Sequence, residues 1–224
     1  MTRAVVFNID GTLVDSVDLH AEAWHEALKH FGHDIPVAAI RSQIGKGGDK
    51  LLPEFLPADE VKKLGDKIEK FRSKLFMQDY MPRVRPFPGV RELFEKIKGS
   101  GLKIGLASSA EKKQLKEMKK IARIDGLVDC DTSADDVEDS KPDPDVFDAV
   151  MKCLKPIPPR ETVVVGDTPY DAEGARKAGL TVVGVLCGGF PESDLRAAGC
   201  VAIFRDPADL LEHYESSPLS SRAR

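Results

Sequence analysis

Six short apolar runs, rich in β-branched residues, punctuate the chain: RAVVFN at 3–8, LKIGLAS at 102–108, GLVDCD at 126–131, TVVVGD at 162–167, LTVVGVL at 180–186 and VAIF at 201–204. Near-continuous apolar runs of this length suit strands covered on both faces, as in a parallel sheet. Between them the apolar spacing changes to that of a helix. Val90, Leu93, Phe94 and Ile97 share one stripe of a helix that begins after Pro88 and stops at glycines, and Val146, Phe147, Val150, Met151 and Leu154 repeat the pattern over 143–155. A shorter helix built from small residues is predicted over 169–179, ending at Gly179. Strands alternating with helices predict an α/β fold: a doubly wound, Rossmann-like parallel sheet whose ligands gather at the carboxyl ends of the strands.

One stretch breaks the alternation. From 17 to 83 only amphipathic helical patterns occur, in LHAEAWHEALKHF, PVAAIRSQI, GDKLLPEFL and ADEVKKLGDKIEKFRSKLFMQDYM. This predicts an inserted all-helical cap at 17–83, joined to a core of 1–16 and 84–216 through connections near 14–17 and 81–86. The last segment, 217–224, is expected to be a disordered tail.

Charge narrows the partners. A net charge of −4 gives no basic face for a nucleic-acid backbone. The N-terminal apolar run is only Ala4 to Phe7, too short for a signal or a membrane span, so no membrane partner and a cytoplasmic location are expected. The four cysteines, Cys130, Cys153, Cys187 and Cys200, lack C-x-x-C spacing and sit among apolar residues, which reads as core thiols in a reducing compartment. A small-molecule ligand and a monomer or weak dimer are expected.

The strands end in chemistry. The first delivers Asn8 and Asp10, the second Ser108 and Ser109, the loop after the third Lys141, and the fourth Asp167 with Asp171 four residues on. On one edge of a doubly wound sheet these groups share a small volume. Carboxylates crowded there repel unless a hard cation that keeps oxygen ligands, Mg²⁺, lies among them, while lysine, hydroxyls and turn amides suit a phosphate dianion. Each has a plainer reading: Ser108 as a helix cap, Lys141 as a solvated charge, Asp171 as an acid in a first helical turn.

In order and spacing, NIDGTLVDS, LASS, SKPDPDVF and VGDTPYD resemble the four motifs of the haloacid dehalogenase superfamily, and the insert resembles its small helical cap. The resemblance implies a Mg²⁺-dependent enzyme. Position 8 would be the nucleophile, normally an aspartate that becomes an aspartyl phosphate. Asp10 would be the general acid and base, with its backbone carbonyl on the metal. Ser108 and Ser109 would hold the transferring phosphoryl group, and Lys141 would neutralise nucleophile and phosphate. Position 8, Asp167 and Asp171 complete the implied metal set.

Asn8 departs from that pattern. A neutral amide oxygen is a poor nucleophile, so this chain is expected to be an engineered, inactive, substrate-trapping variant that still binds phosphate esters but holds Mg²⁺ less well; a natural non-catalytic binder is the alternative. The implied substrate is a small organic phosphate monoester, such as a sugar phosphate or phosphoglycolate. In the cap, His20 and Trp24 at i and i+4 resemble the same stretch of β-phosphoglucomutase, although cap core and hinge hydrogen bonding would explain them equally. Lys46 and Lys50 flank a glycine-rich turn where an anionic substrate end would enter. The arginine that a mutase needs in that turn is replaced by Gly47, Gly48 and Asp49, which favours a phosphatase over a mutase. A dehalogenase and a receiver-type signalling domain fit less well, the latter because of the long insert.

Overall fold

The computed structural model describes residues 1–220. In chain order the elements are β1 (Ala4–Phe7), β2 (Val14–Asp15), α1 (Val17–His30), α2 (Val37–Arg41), α3 (Gly48–Leu51), α4 (Ala58–Leu75), β3 (Arg85–Pro86), α5 (Val90–Gly99), β4 (Lys103–Ala107), α6 (Lys112–Ile121), β5 (Cys130–Thr132), α7 (Asp145–Cys153), β6 (Thr162–Gly166), α8 (Pro169–Lys177), β7 (Thr181–Val185), α9 (Glu192–Ala198), β8 (Ala202–Phe204) and α10 (Pro207–Glu212). Six strands form a parallel sheet in the order β5-β4-β1-β6-β7-β8, with β1 at its centre.

Alternation along β1 divides the packing. Val5 and Phe7 face one side with Leu93, Phe94, Ile97 and Met118, while Ala4 and Val6 face the other with Phe147, Val150, Ala172 and Ala175. Helices therefore cover both faces, and the strands need apolar residues at every position. The register pairs Phe7 with Leu106 and with Val165. That pairing sets Asn8, Ser108 and Asp167 at the same carboxyl edge, one or two residues past the last pair.

The cap has its own core, in which Trp24 and Leu28 of α1 meet Ile40, Leu51, Leu52 and Ile68. After α4 the chain continues through a π turn, Phe76–Tyr80, and a 3₁₀ turn, Met81–Arg83, back to the core. The two connections pair with each other: β2 and β3 form an antiparallel ribbon, Val14 opposite Pro86 and Asp15 opposite Arg85. Two-residue strands were invisible to an alternation rule that needs four or more residues.

Three expectations are corrected. The third strand is Cys130–Thr132 rather than 126–131, because Leu127 closes a turn on Ile124 and Asp129 is held by Lys98, Lys103 and the Ile104 amide. The tail is not free over 217–220: Leu219 is fully buried and Pro218 accepts a hydrogen bond from Thr2 Oγ1 at 2.8 Å, while 221–224 lie outside the described residues. Cys130 and Cys153 are joined in a disulfide, since α7 packs on β5 and brings their Cα atoms to 6.3 Å. An apolar setting suits a cystine as well as a thiol, so cysteine usage gives no argument for a reducing compartment. Cys187 and Cys200 are free thiols. No helix among the described residues is long and apolar enough to cross a membrane.

Candidate active site

Asn8 lies just beyond β1, where its amide N–H donates to Val165 O at 2.9 Å and its side chain is buried. The carboxamide is fixed from both ends. Lys141 Nζ donates to its Oδ1 at 3.0 Å, and its Nδ2 donates to Asp10 O at 2.8 Å and to Asp167 Oδ1 at 3.0 Å. The opposite orientation would set two donors, the amide NH₂ and the ammonium, face to face. Lys141 is itself buried and also reaches Ala107 O at 2.9 Å and Asp171 Oδ1 at 2.7 Å. It is no solvated charge.

Asp171 occupies the N3 position of α8 and closes a capping box with Thr168, whose N–H and Oγ1 both donate to Oδ2. One oxygen thus caps the helix and the other faces Lys141. Charging the first helical turn and holding the lysine are one arrangement. Asp167, also fully buried, accepts from Thr12 Oγ1 at 2.7 Å through Oδ1, while its Oδ2 has no hydrogen-bond partner. Burial, with the nearby Asp171 carboxylate, pushes its pKa up to about 7. The free oxygen is wedged against backbone: a Cβ on Gly188 or on Gly11, which also has φ +73°, would overlap Asp167 Oδ2. Glycine is required at both positions for the close approach.

Asp10 points toward the cap. Ser16 Oγ donates to its Oδ1 at 2.6 Å and His20 Nε2 lies 2.8 Å from the same oxygen. Burial would raise its pKa, but His20 and Ser16 outweigh that and hold it below the ordinary value, so Asp10 rests ionised. His20 in turn stacks on Phe76 at 3.9 Å between centroids, which ties the acid to the π turn of the hinge. Ser108, fully buried, receives Ala110 N–H on its Oγ at 3.0 Å, a local turn rather than the cap of α6, whose N-cap residue is Glu111. Ser109 Oγ donates across to Gly45 O of the cap at 3.2 Å.

A hollow at this seam is lined by Asn8, Asp10 and Ser109 from the core and by His20, Trp24 and Lys46 from the cap. Trp24 is both a cap core residue and part of this wall. Lys46 has its ammonium engaged by Gln43 Oε1 at 2.6 Å and Glu54 Oε1 at 2.7 Å. Lys50 is not brought to the hollow: it reaches Asp139 at 2.7 Å and Asp143 at 3.0 Å, latching the cap to the loop that carries Lys141. With Gly47 N–H donating to Ser140 Oγ and Tyr170 Oη to Ser42 O, the cap is closed on the core. A larger hollow, about 610 Å³, lies at the opposite end of the sheet between Arg3, Asp129 and Cys153, and contains none of these groups. Sequence reasoning missed Thr12 and Ser16, which stand inside the first motif as hydroxyls spaced to reach Asp167 and Asp10, and Arg72 and Gln114, which carried no signal within charged helical stretches.

The donor set fits a hard cation. Asp10 O and Asp167 Oδ1 converge on one point, Asp167 Oδ2 is an unpaired buried oxygen, and that carboxyl group gains proton affinity where a positive charge would relieve it. The Asn8 amide nitrogen occupies that point of convergence and supplies the hydrogen bonds instead.

A family model described as haloacid dehalogenase-like hydrolase matches residues 5–185. A phosphorylated carbohydrates phosphatase from Thermotoga maritima is 28% identical over 213 residues, covering 93% of this chain and 96% of its own. A phosphoglycolate phosphatase from Nitrosospira multiformis is 28% identical over 207 residues, 90% of each chain. The solved structure of a hydrolase from Pseudomonas syringae has a TM-score of 0.89 at 29% identity, over 96% of this chain and 99% of that one. Four motifs on adjoining strand ends, a helical cap closed over them and a family match across most of the chain lead to one assignment: the protein belongs to the haloacid dehalogenase-like hydrolases.

Proposed function

We propose that this fold is built to hydrolyse a small organic phosphate monoester, of the sugar phosphate or phosphoglycolate kind, through a phosphorylated side chain at position 8. The observation that carries the reading is the convergence of Lys141 and Asp167 on the two ends of one carboxamide, 3.0 Å away in each case. A carboxylate there would have one oxygen held by the lysine and the other beside the acid that would bind a cation. Asp10, ionised and 2.6 Å from Ser16, is suited to activate water in the second half-reaction. The buried turn of Ser108 and Ser109 offers hydroxyl and amide donors to the phosphoryl oxygens, and the closed cap excludes water from them.

Mg²⁺ is the cation we assign, held by Asp10 O, Asp167 and an oxygen of residue 8, where it would neutralise charge on the phosphoryl group. Asn8 offers no oxygen in that direction and its N–H groups compete for the same ligands. The chain as it stands is thus an impaired, ester-binding form, and we read Asn8 as a substitution for aspartate. The phosphatase reading is favoured over the mutase because the cap turn presents Gly47 and Gly48 against Ser140 and Glu69, and the lysine beside it, Lys46, is already engaged by Gln43 and Glu54. Assaying the Asn8→Asp protein with Mg²⁺ on a panel of sugar phosphates and phosphoglycolate tests it. Phosphate release is expected, and isomerisation without release would favour the mutase.

A further inference from the structure

Beside the phosphoryl site, between α4 of the cap and the loops after β4 and β5, lies a chamber of about 200 Å³ that shares Ser108 and Ser109 with it. This is smaller than the pockets that take drug-sized ligands and suits a small metabolite. Arg72 of α4 stands between the two spaces and lines both. It is only 8% exposed, its Nε has no hydrogen-bond partner, and its guanidinium lies 4.8 Å from the centroid of the Trp24 ring, which packs it without satisfying its donors. Gln114 of α6 is fully buried on the phosphate side; its Nε2 donates to Ser73 Oγ at 3.3 Å and its Oε1 has no partner. Buried unpaired donors and acceptors of this kind are costly unless a ligand engages them.

The rest of the wall is acidic. Asp49, Glu69, Glu111 and Glu138 line the chamber against the single guanidinium. Glu69 packs on the Gly48 backbone, where no Cβ could be accommodated. Burial raises its proton affinity, Arg72 opposes that, and Asp49, Asp66 and Glu111 add to it. A carboxylate or a second phosphate entering here would meet four acidic side chains for one opposite charge. Hydroxyl groups, each both donor and acceptor, match alternating guanidinium, amide oxygen and carboxylates.

We infer that Arg72, Gln114, Glu69 and Glu111 form the leaving-group subsite, and that it selects a neutral, hydroxyl-rich group such as a sugar or polyol over a carboxylate or a second phosphate. The inference rests on the phosphate-monoester reading, but its test does not require turnover. Calorimetric titration of the Asn8 protein with glucose 6-phosphate, sorbitol 6-phosphate, phosphoglycolate and glucose 1,6-bisphosphate measures the selection directly. At least one of the two neutral-group monophosphates should bind about tenfold or more tighter than phosphoglycolate and the bisphosphate. Arg72→Gln should weaken binding of the sugar esters about tenfold by removing a buried donor to their hydroxyls, and the isosteric Glu69→Gln, which spares the packing should Arg72→Gln fail to fold, should shift the ratio toward phosphoglycolate. Phosphoglycolate or bisphosphate binding as tightly as both sugar esters, or a ratio unmoved in every variant that folds, would overturn the assignment. Selective sugar-phosphate binding without phosphate release by the Asn8→Asp protein would leave this subsite standing and remove the hydrolase reading.

Discussion

Replacing Asn8 by aspartate changes two hydrogens and one charge at the centre of the sheet edge, and its cost can be worked from the distances. The new carboxylate would face Asp167 Oδ1 at the present Nδ2 position, 3.0 Å away, and Lys141 Nζ, also 3.0 Å away. At an effective dielectric of about 20 each interaction is about 5 kcal/mol, one repulsive and one attractive, so they offset. What remains is the loss of the two N–H donations to Asp10 O and Asp167 Oδ1. At about 1 kcal/mol each, and more for the charged acceptor, the metal-free Asn8→Asp protein should be about 2–4 kcal/mol less stable than the Asn8 protein. For a chain of this length that lowers Tm by roughly 4–16 °C. The comparison belongs at pH 8 in EDTA, above the Asp167 pKa of about 7 in the Asn8 protein; in Asn8→Asp a proton shared between the two facing acids would relieve their repulsion, so the destabilisation given is an upper bound. Mg²⁺ at about 100 times its Kd should then return about 2.7 kcal/mol to Asn8→Asp and much less to the Asn8 protein. Thermal melts of both proteins with and without Mg²⁺ decide. Equal stability in EDTA together with equal Mg²⁺ shifts would refute the view that the amide stands in for a cation.

Other perturbations test separate parts of the site. Asp167 has its folded pKa raised from 3.8 to about 7, so the native state binds the extra proton between those values and metal-free stability should fall as pH rises from about 4 to 7, by several kcal/mol, with Asp167→Asn flattening the slope in urea melts. Lys141→Met should destabilise by about 3–5 kcal/mol, because Asp171, 2.7 Å away and fully buried, loses its counter-charge, and it should abolish turnover in the Asn8→Asp background. The Cys130–Cys153 disulfide spans 23 residues that include Lys141, so reduction should cost about 3 kcal/mol in a denaturant titration, and four reactive thiols in the unreduced, unfolded chain would show that the bond is absent.

Much of this site was legible because strand ends are local. A run such as TVVVGD declares both the strand and the acid at its end, and the parallel register then brings Asn8, Ser108 and Asp167 together without further information. Lys141 was legible by motif, although nothing local distinguishes it from the charged residues around it; its burial follows from the fold of the β5–α7 loop over Ala107. Lys50 was misread for the complementary reason: a lysine beside a glycine turn has the right address, but its partners Asp139 and Asp143 come from a distant loop. Arg72 shows the same limit, since within KFRSK it looks like one more solvated cation of an amphipathic helix, and only the closure of α4 on Trp24 buries it. The docked segment at 217–220 and the disulfide also depend on contacts between remote residues. Periodicity reads which face is apolar, not which surface it will meet.

The most direct test of the central claim is to mix the Asn8→Asp protein with Mg²⁺ and its best sugar phosphate, quench in acid, and locate any added phosphoryl group by peptide mass spectrometry. A single phosphoryl group on residue 8, absent from the Asn8 protein treated in the same way, is the result predicted by a carboxylate placed between Lys141 and Asp167. Phosphate release with no modification at residue 8 across the time course, or a phosphoryl group on Ser108 instead, would contradict it.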